Sequence, residues 1–286
     1  MGPLSVVVGS AAGLPALQTM IQELFRIGTF AISPFGVTLV LAFVAAYFQL
    51  RWGMKRLDAG DQEDASALIL WAGLGGIGGA KIYYAILNGD WRLLFERWGL
   101  VWYGGFVLGV VAVYVTLRVR RLAVWPVLDA SSLGLALGYA VGRLGCFLVG
   151  DDYGVPTELP WGVKFPVGLP PTTAGELRRN FDLTIPEWIA DDTLLAVHPT
   201  QIYETLAALA IWGLGMWLLK RSRVRGTTAL LVFALLAVER FLVEILRAKD
   251  DRFFGSLTLA QAISLAVIVT ALGLWWWRRR ALPAEP

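Results

Sequence analysis

Seven stretches of this chain are apolar over lengths that match a lipid bilayer, and no water-soluble architecture needs so many. A helix must run for about 20 mostly apolar residues to cross about 30 Å of hydrocarbon. The stretches lie at 33–50, 65–87, 101–117, 127–149, 201–219, 227–247 and 258–277. Lipid offers no partner to a backbone N–H or C=O, so each is expected as a helix. Composition agrees: 57% of the 286 residues are hydrophobic and 16% charged, where a soluble domain carries about 25% charged residues. The expected fold class is an all-α integral membrane protein with seven transmembrane helices.

Lysine and arginine in the loops set the orientation. Arg51, Lys55 and Arg56 follow span 1, and Arg118, Arg120 and Arg121 follow span 3. Lys220, Arg221, Arg223 and Arg225 follow span 5, and Arg278, Arg279 and Arg280 follow span 7. These clusters alternate with basic-poor connections. They place the N-terminus outside and the C-terminus in the cytoplasm, with Trp275, Trp276 and Trp277 at the inner interface. The net charge of +3 belongs to these loops and gives no reason to expect a nucleic-acid partner. Three regions follow. Residues 1–32 read as an interfacial amphipathic segment, a helix with Leu17, Ile21, Leu24 and Phe25 on its apolar face. Residues 33–277 form the seven-helix domain, and 278–286 a cytoplasmic tail. The connection 150–200 is by far the longest. Pro156, Pro160, Pro166, Pro170, Pro171 and Pro186, with Trp161 and Trp188, read as a folded cap on the outer side, not a linker. The first thirty residues lack a basic start and a small-residue cleavage pattern, so a cleaved signal peptide is not expected. One cysteine excludes an intramolecular disulfide, and one histidine a His-rich metal site.

Charged residues inside the spans carry the functional signal, because a charge at the bilayer centre costs at least about 2.5–3.5 kcal/mol. Lys81, Arg143, Glu239, Arg240, Glu244 and Arg247 fall there. Arg240, Glu244 and Arg247 are spaced to share one helix face, and Glu244 can pair with either arginine. Three arginines and a lysine against two glutamates leave a positive surplus of two. One use of such a set is an ion network that fixes helix packing. The other is an anion site, in which Arg143 and Arg240 face each other across a cavity. A guanidinium donates two parallel hydrogen bonds to a phosphate, and a phosphate within a bilayer is a phospholipid headgroup.

Other residues fall around this set. The stretch from Gly142 through Gly154 closes the fourth span, and its glycines permit close approach of backbone or ligand. Cys146 lies one turn beyond Arg143. His198-Pro199-Thr200-Gln201-Ile202-Tyr203-Glu204 opens the fifth span, with Thr200 as its N-cap and Tyr203 and Glu204 bracing the arginines. At the start of the third span, Gly104 and Gly105 let Tyr103 project toward a cavity; an interfacial tyrosine is the plainer use. The five glycines between 73 and 79 imply close helix packing or a break.

These residues resemble a family. Gly142-Arg143-Leu144-Gly145 through Gly154 is similar to the signature of the bacterial prolipoprotein diacylglyceryl transferases. Phe35-Gly36, Gly79 to Tyr84, Tyr103-Gly104-Gly105, His198 to Glu204 and Arg240 to Arg247 follow in the family's order, so the resemblance covers roughly 30 to 277. It implies a seven-span enzyme of the bacterial inner membrane with a periplasmic head. Such an enzyme moves the diacylglyceryl unit of phosphatidylglycerol onto the lipobox cysteine thiol of a prolipoprotein, and glycerol 1-phosphate leaves. The partners implied are phosphatidylglycerol, the prolipoprotein signal peptide and membrane lipids; no metal or cofactor is implied. The family's essential arginines carry over onto Arg143 and Arg240, its glutamate onto Glu244, and its closing glycine onto Gly154. Arg247, Cys146, Asp151, His198, Tyr203 and Glu204 are expected around the substrate, and Tyr103 in the catalytic set.

The chain departs from the family's pattern at specific places. Tyr103 stands where the family has histidine. Cys146 and Val149 stand where it has asparagine, Asp151 where it has glutamate, and Phe35 where it has tyrosine. The phosphate-binding half is retained, and the thiol-activating half is altered. Surplus positive charge near the thiol is one way to raise its thiolate fraction without a dedicated base. Two other readings remain: transfer to a different acceptor, and a phospholipid-binding membrane protein without chemistry.

Overall fold

The computed structural model describes residues 23–281, apart from 28–29, 97–98, 100, 182, 223, 249–251 and 255–256. Among the described residues the chain is dominated by eight helices: α1 (Pro34–Leu57), α2 (Gln62–Asn88), α3 (Trp102–Val119), α4 (Val124–Val149), α5 (Ala174–Phe181), α6 (Thr200–Arg221), α7 (Thr227–Glu244) and α8 (Leu259–Ala281). Two short hairpins complete it: β1 (Phe25–Ile27) with β2 (Phe30–Ile32), and β3 (Arg252–Phe254) with β4 (Leu257–Thr258).

Five of the seven expected spans, α1, α2, α4, α6 and α8, are long and apolar enough to cross a bilayer. The other two are helices that miss on length or charge. The apolar part of α3, Tyr103–Val119, is shorter. The 18 residues of α7 include Glu239, Arg240 and Glu244. The apolar surface is turned outward: Val40, Leu41, Leu70, Leu74, Ile77, Val107, Leu206 and Val269 are all exposed. Exposure of so many large apolar side chains is unfavourable in water and ordinary in lipid.

Of the helix expected across Leu17 to Phe25, Leu17 and Ile21 lie outside the described residues. Phe25 belongs instead to a strand, paired with Ile32.

The chain divides into two compact units. One holds residues 46–134 and 223–229. Within it α2 begins with a capping box, in which Asp61 accepts from Asp64 N–H and the Asp64 carboxylate accepts from Asp61 N–H. Arg120 pairs with Asp64 at 3.0 Å. The glycines of α2 neither break nor bend it out of helix. A Cβ on Gly79 would lie 2.2 Å from the Gly104 carbonyl oxygen, and one on Gly104 2.3 Å from that of Gly79. The two helices therefore meet backbone to backbone. Gly104 serves this crossing, and Tyr103 sits partly exposed at the start of α3. Asp129, buried in α4, accepts from Gly226 N–H at 2.6 Å and Ala229 N–H at 2.8 Å. It thus satisfies donors that the start of α7 leaves open.

The other unit holds the first half of α1, α4 from Leu135, α6, α7 from Leu230, α8 and the 150–199 connection. That connection is folded, as expected. Tyr153, Phe165, Ala174, Leu177, Ile185, Leu195, Val197 and Ala248 form its core. Val197 pairs with both Pro156 and Val163, and Thr173 with Leu194. The Tyr153 hydroxyl, buried at the base of this core, donates to the Pro170 carbonyl at 2.8 Å. Arg178 ties the loop after α5 by donating to the carbonyls of Ile185, Pro186 and Ile189.

Candidate active site

Three ends of chain meet inside the second of these units: the C-terminus of α4, the N-terminus of α6 and the C-terminus of α7. The sequence of α6 explains the meeting. Thr200, Gln201, Glu204 and Thr205 are polar at i, i+1, i+4 and i+5 of an otherwise apolar helix, so they share one face, and all four are buried. That face turns to α4 and the loop that follows it. Thr200 Oγ1 donates to the Asp152 carbonyl at 2.8 Å, Gln201 Nε2 to that of Asp151 at 2.5 Å, and Thr205 Oγ1 to that of Ala140 at 3.3 Å. Thr200 is consequently not the expected N-cap. Pro199 holds that position, and the threonine hydroxyl is spent on the loop.

Glu204 is the centre of the site and is fully buried. Its carboxylate forms an ion pair with Arg143 of α4 and lies 3.9 Å from Arg240 Nη1 of α7. The Tyr139 hydroxyl donates to it at 2.8 Å, and the Tyr139 ring lies 5.7 Å from the Arg143 guanidinium carbon. Arg143 also pairs with Asp152 at 2.8 Å, and its Nη1 approaches Cys146 Sγ at 3.6 Å. Arg240 pairs with Glu244 at 2.5 Å. Arg247 pairs with Asp152 and lies 3.7 Å from Glu244. The arginines do converge, but the Glu204 carboxylate stands where open space was expected between them.

The expected charge surplus is absent from this cluster. Arg143, Arg240 and Arg247 meet Asp152, Glu204 and Glu244, three against three. Lys81 belongs to the other unit, where its Nζ donates to the Glu96 carbonyl. Low dielectric explains the balance, because an unpaired buried charge costs far more than a paired one. Three buried donors of the cluster nonetheless lack an acceptor, Arg143 Nε, Arg240 Nη1 and Arg247 Nε.

Asp152 reaches two arginines because its backbone is left-handed, with φ 61°. Such a conformation costs about 1–3 kcal/mol and persists where its surroundings enforce it. Burial opposes its ionisation, yet Arg247 and Arg143 outweigh burial and hold its carboxyl below the usual carboxylate range. Asp151 differs: burial and the adjacent Asp152 charge push its carboxyl up. It faces neither arginine pair in hydrogen-bond contact. Instead its Oδ1 accepts from Asp152 N–H at 2.8 Å.

Arg247 is not on the helix face expected for it. The helix α7 ends at Glu244, and Arg247 lies beyond the turn, where it pairs as a β-bridge with Gly154. Gly154 is where three segments cross. A Cβ there would lie 2.6 Å from the Leu246 carbonyl oxygen and 2.8 Å from His198 Cβ. Its role in the structure is close packing. His198 and Tyr203 stand apart from the arginines. His198 Nδ1 lies 3.3 Å from the Tyr203 hydroxyl, which accepts from Trp161 Nε1 at 2.7 Å. Burial lowers the His198 pKa, so its imidazole is neutral at pH 7. Tyr203 therefore braces the cap, and Glu204 alone of that pair braces the arginines. A cavity of about 210 Å³ borders the cluster, lined by Asp151, Asp152, Tyr153, Leu169, Pro170, Phe181, Arg247 and Ala248.

Asp152 and Tyr139 are site residues that the pattern of the sequence does not single out. The period-four spacing of Tyr139 and Arg143 is a usable signal for the second. Nothing local marks Asp152, whose role depends on the turn that presents it.

Long apolar helices that turn their side chains outward, and a buried guanidinium–carboxylate cluster held by α4, α6 and α7, define a multi-pass membrane protein. Residues 22–277 match the family model of prolipoprotein diacylglyceryl transferase, and the chain belongs to that family. It is 30% identical over 271 residues to a phosphatidylglycerol–prolipoprotein diacylglyceryl transferase of Thermosynechococcus vestitus, covering 91% of this chain and 93% of the relative. It is 32% identical over 286 aligned positions to the enzyme of that name from Xylella fastidiosa, covering 92% and 94%. A relative of the same name from Gloeobacter violaceus is 30% identical over 272.

Proposed function

We propose that the protein transfers the diacylglyceryl group of phosphatidylglycerol to the cysteine thiol of a prolipoprotein lipobox, releasing glycerol 1-phosphate. The observation that carries this is the convergence of Arg143 and Arg240 on the one carboxylate of Glu204. Two guanidinium groups that can share a carboxylate are spaced to share a phosphoryl group, whose oxygens present similar acceptors. The reaction displaces phosphate from a glycerol carbon, so negative charge grows on the departing oxygens. Cations fixed in a low-dielectric site stabilise that charge, and one well-placed donor is worth about 3–4 kcal/mol.

In this reading the substrate's phosphoryl group takes over part of the place that Glu204 holds at rest. Arg143 Nε and Arg240 Nη1 supply donors already without acceptors. Glu244 and Asp152 keep the guanidinium groups aimed. All seven long helices cross the inner membrane. The N-terminus and the 150–200 head lie on the periplasmic side, and the basic helix ends and C-terminus lie in the cytoplasm. Phosphatidylglycerol then arrives sideways between helices, and the lipobox peptide from beneath the head.

The test uses the purified protein in phosphatidylglycerol micelles with a lipobox peptide. Release of glycerol phosphate that is stoichiometric with thioether formation, and is abolished in Arg143→Ala and Arg240→Ala, is expected. Lipid binding without any release would overturn the reading.

A further inference from the structure

Glu239 is a carboxyl on a helix of the cluster that forms no ion pair among the described residues. It lies on α7 beside Arg240 and is buried, and its Oε1 meets no hydrogen-bond partner. Its charged and titratable neighbours are known from every helix of the site. Arg240 is on its own helix, Glu204 on α6, and Arg143 and Tyr139 on α4. The three arginines are already matched by Asp152, Glu204 and Glu244, so an ionised Glu239 would add an uncompensated charge in the hydrocarbon. A neutral, protonated carboxyl satisfies both burial and balance. It adjoins Arg240 in sequence and lies within electrostatic reach of Arg143, the two arginines assigned to the phosphoryl group.

The transfer has a proton to move. The thiol loses one, and the departing phosphate becomes a monoester that can bind one. Tyr103, expected in the catalytic set where the family has histidine, belongs to the other unit.

We propose that Glu239 is the proton carrier of the transfer: its carboxyl, protonated at rest, gives its proton to the phosphoryl oxygen that leaves the glycerol carbon and takes the thiol's proton in exchange. This rests on the reaction proposed above. The S–C bond forms as the C–O bond to phosphate breaks, and that bond's electrons go to the leaving oxygen. The leaving oxygen accepts the Glu239 proton, and the thiol proton restores the carboxyl. A neutral thiol and a phosphodiester monoanion give a neutral thioether and a phosphomonoester monoanion, so charge and atoms balance.

The experiment compares wild type, Glu239→Gln and Glu239→Asp, purified in phosphatidylglycerol micelles with a lipobox peptide. Glutamine keeps the shape but cannot exchange a proton. Its kcat is expected to fall about 100-fold or more, with KM for phosphatidylglycerol unchanged, and aspartate to restore part of the rate. Infrared difference spectra between wild type and each variant, at neutral pH and without substrate, should show a protonated-carboxyl band that glutamine removes and aspartate shifts. Wild-type turnover in Glu239→Gln overturns the proposal, as does the absence of that band. If glutamine prevents folding, the aspartate spectrum and rate decide by the same criteria. Should the wild type itself release no glycerol phosphate, the transfer reading falls and the proton carrier with it. An active wild type with an equally active Glu239→Gln removes Glu239 alone.

Discussion

Arg143 and Arg240, 97 residues apart in the chain (240 − 143) and on different helices, are held by the same buried carboxylate, that of Glu204. The arrangement stores two cations in a medium that resists them. It also makes the site's chemistry and the fold's stability depend on the same side chains.

The first consequence is energetic coupling. Removing one partner of a buried pair costs about 3–5 kcal/mol, because the other is left uncompensated. Arg143→Ala and Glu204→Gln should each lower the thermal midpoint in detergent. The double variant should be less destabilised than the sum by about 1–3 kcal/mol. Additive losses would show that the pair is not formed.

Acid should weaken the fold through Asp152. Its folded pKa lies below the unfolded value of about 3.9, so its stabilisation is present above that value and is lost as pH falls through the lower, folded one. Asp152→Asn should therefore lower the midpoint at neutral pH and flatten its decline in acid. Asp151 has the opposite sign. Its raised carboxyl binds a proton more readily folded than unfolded, so ionisation at neutral pH opposes folding. Asp151→Asn, which retains an acceptor for Asp152 N–H, should raise the neutral-pH midpoint.

Backbone crossings should tolerate no added carbon. Gly79→Ala would place a Cβ 2.2 Å from the Gly104 carbonyl oxygen, whereas Gly78 has nothing within 4 Å of that position. Overpacking of this kind costs about 1–3 kcal/mol. Gly79→Ala should unfold at lower temperature, and Gly78→Ala at nearly the wild-type temperature.

Orientation is open to labelling. Cys146 is the chain's single cysteine and is buried, so Cys146→Ser gives a clean background. Trp188, in the head, is 84% exposed. In intact cells a membrane-impermeant maleimide should label Trp188→Cys in that background, and should leave a cysteine at Arg279 unlabelled until the cells are opened.

Hydropathy placed every long helix, to within seven residues at each end, because the period and length of an apolar run are properties of the sequence alone. The same was true of the arginines, since a charge in such a run is conspicuous wherever the run ends up. Glu204 was visible for its chemistry, and Glu239 as a charge out of place, but neither sequence position says which cation it faces. No local pattern marks Asp152 as a partner of the arginines. In the structure a left-handed turn carries it back to Arg143 and Arg247. Gly104 was read as freeing Tyr103, and it proved to be a place where two helices touch.

What the sequence determined by itself is therefore the helices, the family and the presence of cations in a bilayer, all of which follow from local pattern. What only the tertiary structure decided is the charge balance. Three carboxylates from a loop and two helices meet three guanidinium groups, and the carboxyls of Asp151 and Glu239 are left without an arginine partner among the described residues. Pairing depends on distance between side chains remote in the chain, and low dielectric makes each such distance decisive for which groups carry a charge or keep a proton.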